Sequence, residues 1–372
     1  MADALFKVYL NNRPAPEELL DRIEEIVVEQ EVDMATEARI KIPVTADKDG
    51  KWTEEDAAFL VPFSRVRIEV IVSDSGPVAL VDGPIVGSEY NLASEPGKSS
   101  VTVVVHDDSA FLNREEKVAR FDGMTDHEVV QQIFSSTAQI ASFDIETTPN
   151  HDAPYPSIMQ RGTDMELIRY LARRHGMHAY VLPGTSPGQS IGCFKAFPIR
   201  SSGIPPLIML GQDRTLSTFN VRHDGRLPSK VSAFTLDLSG KADGESTAVY
   251  SDAERMGDEE ALQNSSEVSV QLLSPYTDFS PSADSAVAGR AALYGFAFEA
   301  RGTPNDVYSG ILQPYSVVDV LGVNARLSGS YLIHSVTHIL NRSSYSQQFT
   351  ALRNARSGGS GSGGTAGAGG IF

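Results

Sequence analysis

The sequence predicts a β-rich α+β protein with more than one domain. At 372 residues the chain is longer than one ordinary domain. Residues 1–112 and 221–355 repeat the apolar–polar alternation of half-buried strands, whereas residues 113–220 contain two helix start signals. We therefore expect an α/β middle domain, 113–220, between a first β domain, 1–112, and a second β domain, 221–355.

The first β domain is predicted from short strands and turn-forming residues between them. Four stretches alternate with period two: 5–10, 38–42, 65–72 and 99–105. Residues 23–30 fit either a strand or a short helix. Several short strands with almost no helical period predict a small barrel or a sandwich. The only tryptophan, Trp52, lies in a polar loop, where it is a candidate for contact with a partner or, equally, a locally packed side chain.

The middle domain is predicted from two capping boxes. Thr125 and Glu128 stand three residues apart, as do Thr163 and Glu166, and an apolar stripe at helical spacing follows each pair. The second helix ends in three basic residues and then Gly176, which suits the negative end of a helix dipole and a helix stop. Two strand-like stretches follow, 177–182 and 193–197.

The second β domain is predicted from four alternating stretches: 230–236, 317–322, 330–338 and 345–352. Between them, residues 237–283 are polar and acidic and predict a solvated insertion, and the alanine-rich residues 283–297 favour a helix. Residues 356–372 form a Gly/Ser-rich tail that we expect to be flexible. Its last residues, Ile371 and Phe372, fit either a disordered end or a short docking plug.

Composition excludes several classes of function. Lysine and arginine number 31 against 48 aspartates and glutamates, so the net charge is −17. Such a surface argues against general binding to nucleic acid or anionic lipid, which requires clustered basic residues. The single cysteine, Cys193, excludes an intramolecular disulfide framework and points to a reducing compartment. The sequence has no visible secretion signal and no run of 18 apolar residues, so we expect no membrane insertion.

Histidine spacing predicts no metal site. His334 and His338 are four apart within a predicted strand, where about 3.3 Å per residue separates them by roughly 13 Å, too far to share one ion. His175 and His178 flank a helix stop without a cysteine or an acidic ligand in a suitable frame. We therefore expect these histidines to be structural.

Acidic doublets are the other candidates for chemistry, but neighbouring residues of a strand point to opposite sides. A solvated acidic face is the simpler interpretation of the four groups: Glu54, Glu55 and Asp56; Asp107 and Asp108; Glu115 and Glu116; Glu259 and Glu260. GxSxG spacing occurs at 184–188 and 188–192, but between two predicted strands, whereas a nucleophile elbow joins a strand to a helix. The sequence has no GxxxxGK[ST] and no GxGxxG between a strand and a helix. We predict no catalytic, cofactor-binding or metal-binding residue, and a protein that is not an enzyme.

Four stretches of the sequence resemble one family. They are QRGTDMELIRYLARRHG at 160–176, RFDGMTDHEVV at 120–130, GPI at 83–85 followed by VTVVVHD at 101–107, and a closing pattern, VLG, GSYLI, VTH and YSQQF, within 320–349. Their order and spacing are similar to those of the phage late control protein D family. That family comprises baseplate hub proteins of contractile tails and the hub part of valine-glycine-repeat (VgrG) spike proteins.

The resemblance implies two related small β-barrel domains flanking the α/β domain, and a homotrimer with pseudo-sixfold symmetry. Such a ring adapts a threefold spike to a sixfold inner tube. The implied partners are a separate spike protein, inner tube subunits, and baseplate wedge and LysM-type adaptor proteins. The implied location is the bacterial cytoplasm during assembly and then the contractile particle. No catalytic residue is implied, and the acidic charge fits a lumen through which cargo passes.

Two other functions stay open at this point. One is a peptidoglycan or glycan hydrolase of a tail, which requires two carboxylates across a cleft. The other is a secreted carbohydrate-binding module, which fits a β-rich acidic chain with exposed loops. Within the hub reading, the sequence does not distinguish a phage tail, a tailocin, an extracellular contractile injection system and type VI secretion.

Overall fold

A computed structural model describes residues 4–53, 60–72, 76–149, 157–237, 242–262, 269–273, 280–342 and 344–357. Strands outnumber helices in these ranges, as the predicted β-rich α+β class requires. The acidic group Glu54, Glu55 and Asp56 and the tail residues 358–372 lie outside the described residues, so the predictions made for them stay predictions.

In the described part of the first 112 residues there are seven strands and two short helices. The strands are β1 (Ala4–Leu10), β2 (Arg13–Pro14), β3 (Glu25–Glu31), β4 (Glu37–Pro43), β5 (Arg65–Val72), β6 (Val78–Asn91) and β7 (Ser100–His106); the helices are α1 (Glu17–Leu20) and α2 (Ser109–Leu112). Residues 23–30, which fit a strand or a helix, lie largely in β3. Every second residue of β3 and β4 is buried, as period-two alternation predicts. Their apolar side chains share one core with those of β1, β5, β6 and β7.

The middle of the chain contains the two predicted helices. Its elements are β8 (Lys117–Phe121), α3 (Asp126–Ser136), β9 (Ile140–Ile145), β10 (Ile158–Gly162), α4 (Asp164–Arg174), β11 (His178–Pro183) and β12 (Ser190–Lys195). Both capping boxes are confirmed. In the second, Thr163 Oγ1 accepts from the Glu166 N–H at 3.2 Å, and the Thr163 N–H donates to Glu166 Oε2 at 2.8 Å. Gly176 then adopts a φ of 64°, which a glycine tolerates without strain.

The remainder of the chain is again mostly strand. Its elements are β13 (Leu207–Ile208), β14 (Leu216–His223), β15 (Lys230–Asp237), β16 (Ala242–Val249), β17 (Glu259–Glu260), β18 (Val270–Leu272), α5 (Ser280–Tyr294), β19 (Phe298–Pro304), β20 (Val317–Leu321), β21 (Gly329–Leu340), β22 (Tyr345–Arg353) and β23 (Ala355–Arg356). The polar segment 237–283 carries regular structure in its described parts, which its polarity did not predict. β15, β16 and β18 form a small sheet, and α5 packs on it through Val287 and Ala291.

One long sheet joins the two ends of the chain. Its strand order is β14-β19-β22-β21-β3-β4-β7-β6-β5-β1-β2, with β20 and β13 continuing from β21. The link between the halves is the antiparallel pairing of β21 with β3, from Ser335 opposite Glu31 to Leu340 opposite Ile26. Over the described residues the hydrogen-bonded path is open and does not close into a barrel. The expectation of two related barrels therefore stays a prediction.

Candidate assembly interface

Two free strand edges lie at the ends of an eight-stranded run of this sheet. From β14 through β19, β22, β21, β3, β4 and β7 to β6, every neighbouring pair is antiparallel. Among the described residues, β14 pairs only with β19, and the second half of β6, from Gly87 onwards, pairs only with β7. Because the run contains an even number of strands, β14 and β6 point in opposite directions. An unpaired edge is a template for pairing with another strand.

The β14 edge offers main-chain donors to a partner. Of its eight residues, only Leu216 is buried. The Asp224 N–H donates to Ala297 O at 2.9 Å and fixes the phase of the β14–β19 ladder. Because hydrogen bonding alternates along an antiparallel pair, the main chains of Asn220 and Arg222 face β19, and the Val221 N–H faces the open side.

Exposed apolar side chains accompany both edges. Beside β6 lie Phe63 and Val61, which are 48% and 54% exposed, and β6 itself carries Tyr90, which is 57% exposed. Near β14, Leu210 is 71% exposed and contacts the turn at Gly322. Apolar side chains of this size next to unpaired strands are typical of surfaces that another protein covers.

The face of the sheet opposite the two cores is mostly polar, although Val27, Val104, Ile339 and Leu352 also lie on it. In β3, Ile26, Val28 and Gln30 are buried, whereas Glu29 and Glu31 are exposed. The strand registers carry this alternation across the run, so one face holds Asn220, Arg222, Glu299, Arg301, Ser346, Gln348, Thr350, Ser335, Thr337, Arg39, Lys41, Thr102 and Glu89. Charged, hydroxyl and amide groups on one face of a sheet indicate that this face meets water.

The junction of β3 and β21 is sealed by a buried polar chain. Gln30 Nε2 donates to Leu80 O at 2.7 Å, and Gln30 Oε1 lies 3.1 Å from His338 Nε2. His338 Nδ1 lies 2.9 Å from the Tyr345 hydroxyl. Burial lowers the pKa of His338 to about 3, so the ring is neutral. Nε2–H therefore donates to Gln30, and Nδ1 accepts from Tyr345.

A second buried polar network joins the first half to the middle of the chain. Arg65 Nε and Arg67 Nη1 donate to the two oxygens of Asp82 at 2.7 and 3.1 Å, and Arg65 also binds both oxygens of Asp108. The Gly188 N–H, in the turn after β11, donates to Asp82 Oδ2 at 3.0 Å. Charges this deeply buried are tolerated because each has partners.

Two of the four histidines highlighted in the sequence, His175 and His178, contact separate carboxylates. His175 Nε2 lies 2.7 Å from Asp126 Oδ2, whereas His178 Nδ1 lies 3.0 Å from Asp33 Oδ1. His334 is half-buried, and burial lowers its pKa. Within the described ranges no three His, Cys, Asp or Glu side chains are grouped closely enough to hold a metal ion.

The acidic doublets within the described ranges have structural contacts or face solvent. Asp107 accepts from the Thr36 and Ser109 N–H groups, and burial raises the pKa of its carboxyl. Asp108 binds Arg65. Glu115 and Glu116 are exposed, and Glu259 and Glu260 form β17, which pairs with β23.

The two remaining single-residue candidates, Cys193 and Trp52, are packed within the protein. Burial raises the pKa of the Cys193 thiol to about 12, so the thiol stays protonated at neutral pH. Trp52 is half-buried, bridges to Ala46 and packs against the first core. No helix in the described ranges has the length and apolar character needed to cross a membrane.

The free edges were not predicted from the sequence. Neither β14 nor the second half of β6 was predicted as a strand, and only the strand order reveals that each lacks a second neighbour. The one local signal is that neither face of β14 is fully buried beyond its first residue: exposed Asn220 and Arg222 alternate with half-buried Phe219 and Val221.

Comparison with known proteins gives a consistent result for the fold. No protein-family model and no curated protein sequence matches the chain. The fold is similar to that of a tail protein from Neisseria meningitidis MC58, with a TM-score of 0.64, 13% identity, and coverage of 94% of this chain and 97% of that one. It is also similar to the 43 kDa tail protein of prophage MuSo2 from Shewanella oneidensis, with a TM-score of 0.60, 14% identity, and coverage of 95% and 99%.

A third similar structure comes from Escherichia coli. It is described as a component of the type VI secretion system with structural similarity to the tail proteins gp27 and gp5 of bacteriophage T4. The TM-score is 0.59 at 14% identity, over 93% of this chain and 76% of that one. The likeness to all three over nearly the whole chain shows a shared, mostly β fold. The two related barrels and the trimer that the motif resemblance implied stay predictions.

Proposed function

We propose that this chain is a structural hub subunit of a contractile injection apparatus, in which three copies close into a ring. The observation that carries the proposal is the pair of free, oppositely running edges at the ends of an eight-stranded antiparallel sheet. Placing β14 of one copy beside β6 of the next continues the antiparallel alternation without a break. Each copy gives one edge and receives the other, which is the head-to-tail arrangement that closes a ring.

The division of the run supports a near-sixfold ring from three chains. Four of its strands, β14, β19, β22 and β21, come from the second half of the chain, and four, β3, β4, β7 and β6, come from the first half. Three copies contain six such groups of four. This is the relation by which a threefold spike meets a sixfold tube, and it makes the two groups counterparts of the two barrel domains implied by the family resemblance.

The polar face of the sheet supports a passage for cargo. In a ring closed through β6 and β14, one sheet face points inward, and the face opposite the cores is the one that bears solvated side chains. A polar lining on a chain of net charge −17 repels other polyanions and offers little apolar surface for folded cargo to bind. The lining residues then include Glu29, Gln348 and Arg301.

The proposed partners follow from the same role. A separate spike protein would meet one end of the ring and inner tube subunits the other, with baseplate wedge and adaptor proteins around it. Assembly would take place in the bacterial cytoplasm, followed by incorporation into the particle. The hydrolase alternative is not favoured, because Asp107 and Asp108 are engaged by main-chain N–H groups and Arg65.

Electron microscopy of the purified chain tests this proposal. We expect class averages with threefold symmetry and a central opening, alone or together with the spike protein of the same gene neighbourhood. A chain that stays monomeric at micromolar concentration with and without that spike contradicts the proposal, as does a two-fold dimer.

A further inference from the structure

A cavity of about 310 Å³ lies between α4 and α5. The two helices meet at a pair of glycines, where a Cβ atom on Gly176 would lie 2.2 Å from the Gly289 Cα. Because both positions lack side chains, the end of α4 approaches α5 closely. Arg290, the next residue of α5, is thereby brought beside Arg173 and Arg174 of α4, and all three line the cavity.

The charge of this cavity differs from that of the chain as a whole. Arg174 is buried and lies 3.5 Å from the Asp126 carboxylate. Arg173 and Arg290 have no carboxylate within ion-pair distance in the part of the chain that the structure describes. Two unneutralised guanidinium groups lining one cavity stand out in a protein of net charge −17. Guanidinium groups bind carboxylate and phosphate oxygens through paired hydrogen bonds.

A buried imidazole, that of His178, also lines the cavity. His178 is 6% exposed, and its Nδ1 lies 3.0 Å from Asp33 Oδ1. Its Nε2 is buried and has no hydrogen-bond partner among the described residues. A buried polar atom without a partner carries a desolvation cost unless a ligand or water satisfies it.

Asp33, the carboxylate beside His178, also lines the cavity. The remaining lining residues are mostly apolar and indicate what accompanies the anion. Met177, Leu273, Ala286 and Leu293 line the cavity, and half-exposed Tyr170 lies at it. A volume of about 310 Å³ exceeds what one small oxyanion fills. The site suits a carboxylate carried by a larger group with apolar parts.

We propose that this cavity binds an acidic segment of a partner protein, with a glutamate or aspartate carboxylate held by Arg173 and Arg290. The inference goes beyond the hub role, because no lining residue belongs to β6 or β14, and it holds whether or not the ring forms. It predicts a docking point for a partner on the middle of the chain.

Isothermal titration calorimetry with three probes tests the site. The probes are an acetylated and amidated Glu-Leu-Glu-Leu-Glu peptide, glutarate and inorganic phosphate, each in phosphate-free buffer of low ionic strength at pH 7. We expect saturable binding of one peptide per chain, with glutarate weaker. The Arg173→Gln/Arg290→Gln double variant should bind the peptide at least tenfold more weakly.

The matched control is the Arg13→Gln/Arg342→Gln double variant. Both arginines are exposed and lie outside the cavity, and the change in net charge is the same. Peptide affinity should match that of the unmodified protein, and circular dichroism and solution mass should be unchanged in both variants. Absence of saturable peptide binding, equal weakening in both variants, or binding of phosphate without the peptide each overturns the proposal.

Discussion

The long sheet contains one strand junction that the chain completes by itself and two edges that it leaves open. At β3 and β21 six residue pairs are formed, and Gln30, His338 and Tyr345 make a buried chain of hydrogen bonds behind them. At β6 and β14 the main chain is unpaired within the described residues, and apolar side chains beside it are half exposed. The β3–β21 junction is antiparallel, and β6 and β14 can pair in the same antiparallel way. The comparison indicates that a second copy of the chain can supply the strand that each open edge lacks.

The two buried polar networks differ in charge, and this difference sets the order of the expected effects of mutation. The network of Arg65, Arg67 and Asp82 is ionic and buried, whereas the β3–β21 junction is neutral. Removing one partner from a buried ionic network leaves uncompensated charge, which costs more than an unsatisfied neutral group.

The largest effect is expected from Asp82→Ala. Arg65, Arg67 and the Gly188 N–H all lose an acceptor, so we expect the free energy of unfolding to fall by about 3 to 5 kcal/mol. Urea unfolding followed by circular dichroism measures this. The control is Asp144→Ala, which removes an exposed ion pair with Lys195 and should leave stability nearly unchanged. Equal stabilities of the two variants would show that the network does not stabilise the contact between the first half and the middle of the chain.

The Gln30→Ala variant tests the neutral junction. Leu80 O and the His338 Nε2–H lose their partner in a buried setting, which should cost about 2 to 3 kcal/mol of unfolding free energy. Gln348→Ala, on the solvated face of the neighbouring strand, is the matched control and should stay within about 0.5 kcal/mol of the unmodified protein. If Gln30→Ala also cost less than about 0.5 kcal/mol, the buried hydrogen bonds would not stabilise the β3–β21 junction, and that junction would not differ in this respect from the open edges.

A smaller effect is expected from pH. Burial lowers the pKa of His338 to about 3, whereas an unfolded histidine titrates near 6.5. As the pH falls below about 6.5 the unfolded chain binds a proton that the folded chain does not, so the folded state loses stability. Between pH 7 and pH 5 the unmodified protein should lose about 2 kcal/mol more than a His338→Gln variant. Urea unfolding at pH 7 and at pH 5 measures the loss for each protein. An equal loss in the unmodified protein and in His338→Gln would contradict a neutral, buried His338.

Local features of the sequence predicted local structure well. The stretch 65–72 coincides with β5, and both capping boxes start helices where expected, because alternation and cap spacing act within a few residues. The pairing of β3 with β21 joins residues some 300 positions apart, and His178 meets Asp33 across 145 positions. No local pattern encodes such contacts, and for the same reason neither the free edges nor the cavity at Arg173 could be predicted from the sequence. In the small sheet, β15 was predicted from the alternation at 230–236, whereas β16 and β18 were missed because they lie in the polar segment 237–283.

The central claim is that the open side of β14 joins one copy to the next, and solution mass tests it most directly. Val221→Pro removes the N–H that faces the open side without removing a bond to β19, whereas Val221→Ala makes a similar loss of packing and keeps that N–H. Under the conditions in which the unmodified protein forms the ring, alone or with its spike protein, light scattering should show three copies of the 40.1 kDa chain for the unmodified protein and for Val221→Ala, and one copy for Val221→Pro. Identical masses for the proline and alanine variants would contradict assembly through this edge.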